Sequence, residues 1–244
     1  KRLLQEKNNE LVVTFRSPIQ EGLKKQSEYG IRMPANNDQS VTGQIGDNVV
    51  SVFTRKAGYH FGWDWGPRLV PSGIWRPVYI ESWNDFQFSD VFITTTELTG
   101  KSANLLADIS VTADRPVHGR LVIQSGDQTW LTMPVDLEKG TNSFKQKFTV
   151  QKPRLWWPSG YGEQFLYPVT CSISDGSTSL AVYSLKTGIR TINLIQDIDA
   201  DMNGQSFYFN VNGVPVFAKG ANYIPNDVFL PRVTDDVYRT IIGS

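Results

Sequence analysis

The chain has 244 residues, 24 basic and 24 acidic side chains and a formal net charge of zero. That length buries a sizeable core and suits about one to three domains, and the neutral balance leaves no electrostatic footprint for nucleic acid or an anionic membrane. No run approaches the roughly 20 apolar residues of a membrane-spanning helix, and a single cysteine, Cys171, excludes an intrachain disulfide framework.

The first seven residues, KRLLQEK, mix charges of both signs and read as a solvated edge, with no apolar run of the kind a secretory leader carries. LVVTFRS (11–17), NVVSVFTR (48–55) and WRPVYIESW (75–83) are β-branched and aromatic runs that predict strands, with Trp75 and Trp83 as core residues. Between them, residues 33–48 form a polar stretch too long for a simple connection, which points to function or disorder. Two or three strands make no stable sheet by themselves, so the chain is expected to begin inside a domain.

Residues 86–188 read differently. VFITTTE (91–97), NLLADISVTA (104–113), GRLVIQS (119–125), WLTMPVD (130–136), NSFKQKFTV (142–150), YPVTCSIS (167–174) and SLAVYSLKTG (179–188) are strand-like runs at regular spacing. Turn chemistry separates them at SGDQ (125–128), EKGTN (138–142) and SDGST (174–178). This predicts an antiparallel sandwich of immunoglobulin-like size, without the Cys-Trp-Cys pattern of antibody domains. Cys171 reads as a buried, inert thiol on one of these strands.

SFYFNVNGVPVF then predicts a hairpin, with strands 206–211 and 214–218 around Asn212-Gly213. Thr234, Asp235 and Asp236 suit a helix N-terminus, and Val237, Ile241 and Ile242 give the helix an apolar stripe. A strand followed by an amphipathic helix looks like the opening βα unit of a larger α/β fold.

Chemistry-bearing patterns are few. The eight glutamates fall in no motif that suggests an acid or a nucleophile, and strand ends or turns explain most of them. Two distant histidines, no P-loop and no GxGxxG give no expectation of a metal or a cofactor. Asp197, Asp199 and Asp201 alternate as calcium ligands do, but lack the glycine and glutamate of an EF-hand loop, and read as a turn. LWWPSGYGEQ (155–164) reads as a packed corner of the sandwich rather than a sugar site.

The densest stretch is YHFGWDWGPRLVPSGIW (59–75), with three tryptophans, two further aromatic rings, a histidine and one aspartate. Aromatic rings cover the C–H faces of a pyranose, and a carboxylate accepts charge-assisted bonds from adjacent hydroxyls. Asp64, between Trp63 and Trp65, offers that pair in a loop shaped by Gly62, Gly66 and Pro67. Composition alone leaves two readings open: a sugar ligand, or a turn residue accepting backbone N–H bonds, the latter slightly favoured.

RKAGYHFGWDWGPRLVPSGIWRPVYIESW closely resembles a segment of the β-mannosidases of glycoside hydrolase family 2. FRSPIQEG and IRMPANN, PRLWWPSGYGEQFLYPV, KTGIRTINLIQD and FYFNVNGVPVFAKGANYIPNDVFLPRV resemble other family segments in the family's order, so the likeness covers nearly the whole chain. The resemblance implies a mainly β chain in three parts. Residues 1–85 would be the late part of a jelly-roll sugar-binding domain, 86–188 an immunoglobulin-like sandwich, and 189–244 the first βα unit of a (β/α)8 barrel. It implies an internal fragment of a retaining exo-β-mannosidase acting on β-mannoside oligosaccharides, with the rest of the barrel as its partner in the full-length chain. Both catalytic glutamates would lie beyond Ser244, so the fragment would be inactive. Asp64 would bind mannose hydroxyls, with Trp63 and Trp65 adjacent. Asn222 and Tyr223 would sit where the first barrel strand meets its loop, on the face that carries active sites. Tyr223 stands where the family most often has tryptophan, and Asp227 would hold that loop. The family has lysosomal, periplasmic, secreted and cytoplasmic members, with the non-cytoplasmic compartments favoured here. The rival readings are a non-catalytic carbohydrate-binding module, and a family 2 enzyme for another sugar such as a β-galactoside or a glucosaminide.

Overall fold

A computed structural model describes residues 7–35, 38, 46–176, 180–200 and 202–243. The fold is mainly β, and the described chain falls into two compact units. One runs from Ile80 to Gly220; the other joins residues up to Tyr79 with those from Ala221 onward.

The unit from Ile80 to Gly220 is built on seven long strands: β1 (Phe86–Leu98), β2 (Ser102–Ala113), β3 (Val117–Ser125), β4 (Gln128–Leu137), β5 (Gly140–Gln151), β6 (Tyr167–Ser174) and β7 (Leu180–Thr187). They form two antiparallel sheets, in the orders β1-β2-β5 and β4-β3-β6-β7. Along β2 every second residue is buried, so one face points inward throughout. Leu105 and Ile109 from that face meet Leu121, Ile123 and Ile173 from the opposite sheet in a single apolar core. This is the immunoglobulin-like sandwich that the regular strand spacing predicts. Cys171 lies in the core, where burial pushes its thiol up to about 11. The 155–164 loop packs at one end only: Leu155 lies against the core, while residues 159–164 are exposed. Trp157 N–H donates to the Glu163 carbonyl, and the Arg154 guanidinium donates to both Glu163 oxygens.

Beyond the sandwich, β8 (Ile192–Ile195), β9 (Tyr208–Val211) and β10 (Val214–Val216) form a small antiparallel sheet. The hairpin expected around Asn212-Gly213 is present, and both turn residues have positive φ (53° and 83°), as a two-residue loop of this hand requires. The aspartate-rich stretch is a turn: Asp199 N–H donates to the Gly204 carbonyl, and Ile198 bridges Gln205. Asp201, Glu6, residues 1–6 and most of the 33–48 loop lie outside the described residues.

The three strands expected before residue 86 are corrected by the structure. Residues 11–17 and 75–83 form no strand pairing among the described residues, and 48–55 holds a 3-10 turn at Ser51–Phe53. A β-propensity run becomes a strand only when a neighbour takes its hydrogen bonds, and among the described residues none runs alongside. Trp75 and Trp83 are accordingly exposed (56% and 43%) rather than core. A helix that the strand reading passed over, α1 (Pro18–Tyr29), occupies the gap. Its signals were local: Ser17 as N-cap accepting from Gln20 N–H, Pro18 in the first turn, and Gly30 in the left-handed region closing the end. The expected C-terminal helix is α2 (Asp235–Gly243), whose first backbone bonds go to the Thr234 carbonyl.

Candidate functional site

The aromatic loop is made by its glycines and its neck. A 3-10 turn at Gly58–Phe61 ends on Gly62, whose φ of 110° only glycine adopts without strain. The chain then reverses in four residues, with Trp63 N–H donating to the Gly66 carbonyl and Gly66 N–H to the Trp63 carbonyl. Asp64 and Trp65 are the two central residues of that turn. Trp63 is 40% exposed and Asp64 is exposed. Among the described residues nothing hydrogen-bonds or ion-pairs with the Asp64 carboxylate, so the backbone-capping role that composition favoured is not the one it plays.

Below the turn the loop is anchored three times. Trp65 packs on Tyr59 (5.5 Å between ring centres), Tyr59 on His60 (4.9 Å) and His60 on Phe229 (6.3 Å). Gly66 lies so close to Val228 that a Cβ there would stand 2.8 Å from Val228 Cγ1. Phe61 is fully buried, and the Arg68 guanidinium lies over its ring at 5.9 Å, across the neck of the loop. Behind Arg68 stands Asp38, whose side chain is 0% exposed and whose Oδ1 is 3.8 Å from Arg68 Nη2. Asp38 Oδ2 accepts from the Val50 and Ser51 N–H groups at 2.8 and 2.9 Å.

Burial and the nearby Lys56 charge hold His60 below the usual histidine range, while burial and the neighbouring Tyr238 raise Tyr59. A hollow of about 630 Å³ opens beside the loop, lined by Lys56, Tyr59, His60, Trp75, Phe229 and Leu230 among others. None of Trp63, Asp64, Trp65, Asn222 or Tyr223 lines it.

Val228 and Phe229 belong to the segment that carries Asn222 and Tyr223. Asn222 is exposed. The Tyr223 hydroxyl donates to Asn226 Oδ1 at 2.8 Å and accepts from Asn226 N–H at 3.2 Å, while its ring rests on Tyr238 of α2. Asp227 holds the loop from inside: its Oδ1 accepts from Phe229 N–H and from Arg232 Nη2, each at 2.7 Å. Those two donors hold its carboxyl below the usual carboxylate range. The loop-holding role expected of Asp227 matches its bonds to Phe229 and Arg232. Sequence reasoning passed over His60, Arg68 and Asp38, because anchoring residues carry no motif of their own.

Three glutamates are engaged by other side chains: Glu21 accepts from Arg16, Glu97 from Asn104 and Glu163 from Arg154; among the described residues no glutamate lines the hollow beside the loop. Among the described residues no group of three or more histidine, cysteine or carboxylate side chains could hold a metal ion.

A model of glycosyl hydrolase 2 galactose-binding domain-like sequences matches residues 1–76, and one of glycosyl hydrolases family 2 matches residues 86–190. β-Mannosidase B of Emericella nidulans is 37% identical over 212 residues, which is 83% of this chain and 24% of that protein. β-Mannosidase B of Thermothelomyces thermophilus is 32% identical over 235 residues, 95% of this chain and 26% of that protein. The crystal structure of β-D-mannosidase from Dictyoglomus thermophilum superposes with a TM-score of 0.74 at 32% identity, covering 93% of this chain and 27% of that one. The chain therefore spans about a quarter of the length of the relatives it matches. Two family models in tandem over most of the residues, and a shared fold at this identity, mean that the chain belongs to glycoside hydrolase family 2.

Proposed function

We propose that these residues form the substrate-recognition loop and the spacer of a retaining exo-β-mannosidase that removes terminal non-reducing β-D-mannose from oligosaccharides. In this reading residues 1–85 end a jelly-roll domain, 86–188 form the spacer sandwich, and 189–244 open a (β/α)8 barrel. The carrying observation is Asp64: an exposed carboxylate with no hydrogen-bond partner among the described residues, on the tip of a turn whose base packs on Val228 and Phe229. Presenting an unpaired acceptor on a braced support is how a site spends little ordering entropy on binding. Asp64 accepts bonds from two adjacent mannose hydroxyls, Trp63 and Trp65 flank the ring, and Asn222 and Tyr223 border the same sugar from the barrel side. The names of the relatives support the choice of sugar.

Retention needs two carboxyl groups about 5–5.5 Å apart, one acid/base and one nucleophile. That no glutamate among the described residues lines the hollow beside the loop supports placing both of them outside residues 1–244. The test compares the full-length protein with the 244-residue chain on aryl β-mannoside, β-galactoside and β-glucosaminide. Turnover of the mannoside by the full-length protein alone is expected. Preference for another sugar, or turnover by the 244-residue chain, would overturn the proposal.

A further inference from the structure

Asp64 owes its place to a turn, and a turn with an exposed tip is only as fixed as its neck. The neck here is closed by side chains. Phe61 precedes the turn and is fully buried; Arg68 follows it and lays its guanidinium over the Phe61 ring. The guanidinium side chain is 11% exposed and faces a carboxylate, Asp38, that is 0% exposed. Asp38 is itself fixed by two backbone N–H groups, from Val50 and Ser51. Val50 is fully buried against Gly22 of α1, where a Cβ would stand 2.7 Å from Val50 Cβ. A continuous line of contacts therefore runs from α1 through Val50 and Asp38 to Arg68 and the two sides of the aromatic loop. Arg68 Nε and Nη2 and Asp38 Oδ1 make no hydrogen bond to any described residue, so Asp38, held from its other oxygen by the two backbone N–H groups, offers Arg68 its buried countercharge.

We infer that Arg68 and Asp38 are positioning residues for Asp64. They touch no sugar; they clamp the neck of the turn so that the carboxylate stands where it can bind. This rests on the reading of Asp64 as a sugar ligand. A ligand displaced by about 1 Å can lose roughly 10²-fold in rate, so loosening the neck should act on recognition and not only on folding. A buried pair that loses one partner also destabilises the fold, whereas removing both charges leaves no uncompensated ion. The two effects can be separated on that basis.

The experiment uses the full-length enzyme and an aryl β-mannoside, with Arg68→Lys, Arg68→Met, Asp38→Asn/Arg68→Met, Asp64→Ala and Arg68→Met/Asp64→Ala. Wild-type turnover and its loss in Asp64→Ala establish the ligand reading first; if either is missing, that reading has failed and not the clamp. With both in hand, Arg68→Met is expected to lower kcat/KM about 10- to 100-fold, and Arg68→Lys to restore part of it. Asp38→Asn/Arg68→Met is expected to recover melting temperature without recovering kcat/KM. In the Arg68→Met background, Asp64→Ala is expected to cost clearly less than in the wild type, because the misplaced carboxylate has less to lose. Purely additive losses, or kcat/KM that returns with the melting temperature, would show that the pair serves stability alone.

Discussion

In the Asp64→Ala enzyme the missing group is a carboxylate that the described chain does not use, and this makes its cost calculable. The turn is held by the reciprocal Trp63–Gly66 backbone bonds, not by the side chain. Removing an exposed, unbonded side chain changes stability by no more than about 0.5 kcal/mol. If Asp64 receives two hydroxyl hydrogens from mannose, each charge-assisted bond is worth about 1.5–3 kcal/mol. Their joint loss is then roughly 3–6 kcal/mol, and at 1.36 kcal/mol per factor of ten kcat/KM falls by about 10²–10⁴. Asp64→Asn keeps the shape and one acceptor oxygen and should fall between the two. The assay is steady-state hydrolysis of an aryl β-mannoside, with a thermal melt of each variant alongside. An unchanged kcat/KM would refute the assignment. An activity loss accompanied by a large drop in melting temperature would show that Asp64 supports the fold after all.

Three further outcomes follow from the packing. Gly66→Ala places a methyl 2.8 Å from Val228 Cγ1, so the loop must lift; overpacking of about 1–3 kcal/mol and a lower kcat/KM in the full-length enzyme are expected, read by melting and by kinetics. Ile123→Ala in the sandwich core should cost about 2–5 kcal/mol in denaturant unfolding with little effect on the chemistry of the loop. Burial and Lys56 lower the folded pKa of His60 below 6.5, while the unfolded chain protonates at about 6.5. Its contribution is complete above pH 6.5 and is lost as pH falls from there through the lowered folded value; His60→Gln should flatten the melting temperature over that window.

Strand alternation in residues 86–188 was legible because each run carries its own inward face, and β2 buries every second residue as written. Asn212-Gly213 was legible for a similar reason, since few other residue pairs take two positive φ values in succession. Residues 11–17 and 75–83 misled because the same β-branched composition says nothing about whether a partner strand is at hand. Helix α1 was masked by that expectation even though Ser17, Pro18 and Gly30 mark both of its ends.

The aromatic loop divides along the same line. Its residue types, the turn between Gly62 and Gly66 and the family it belongs to are properties of a short contiguous stretch, and they can be read without coordinates. Whether Asp64 caps its own turn or stands unpaired depends on which N–H groups lie within about 3 Å, and those are set by packing. The contacts of Gly66 with Val228 and of His60 with Phe229 join residues more than 150 positions apart, and the Arg68–Asp38 pair spans 30. No local pattern encodes such pairings, because burial and the satisfaction of a buried charge are decided only when distant segments come together.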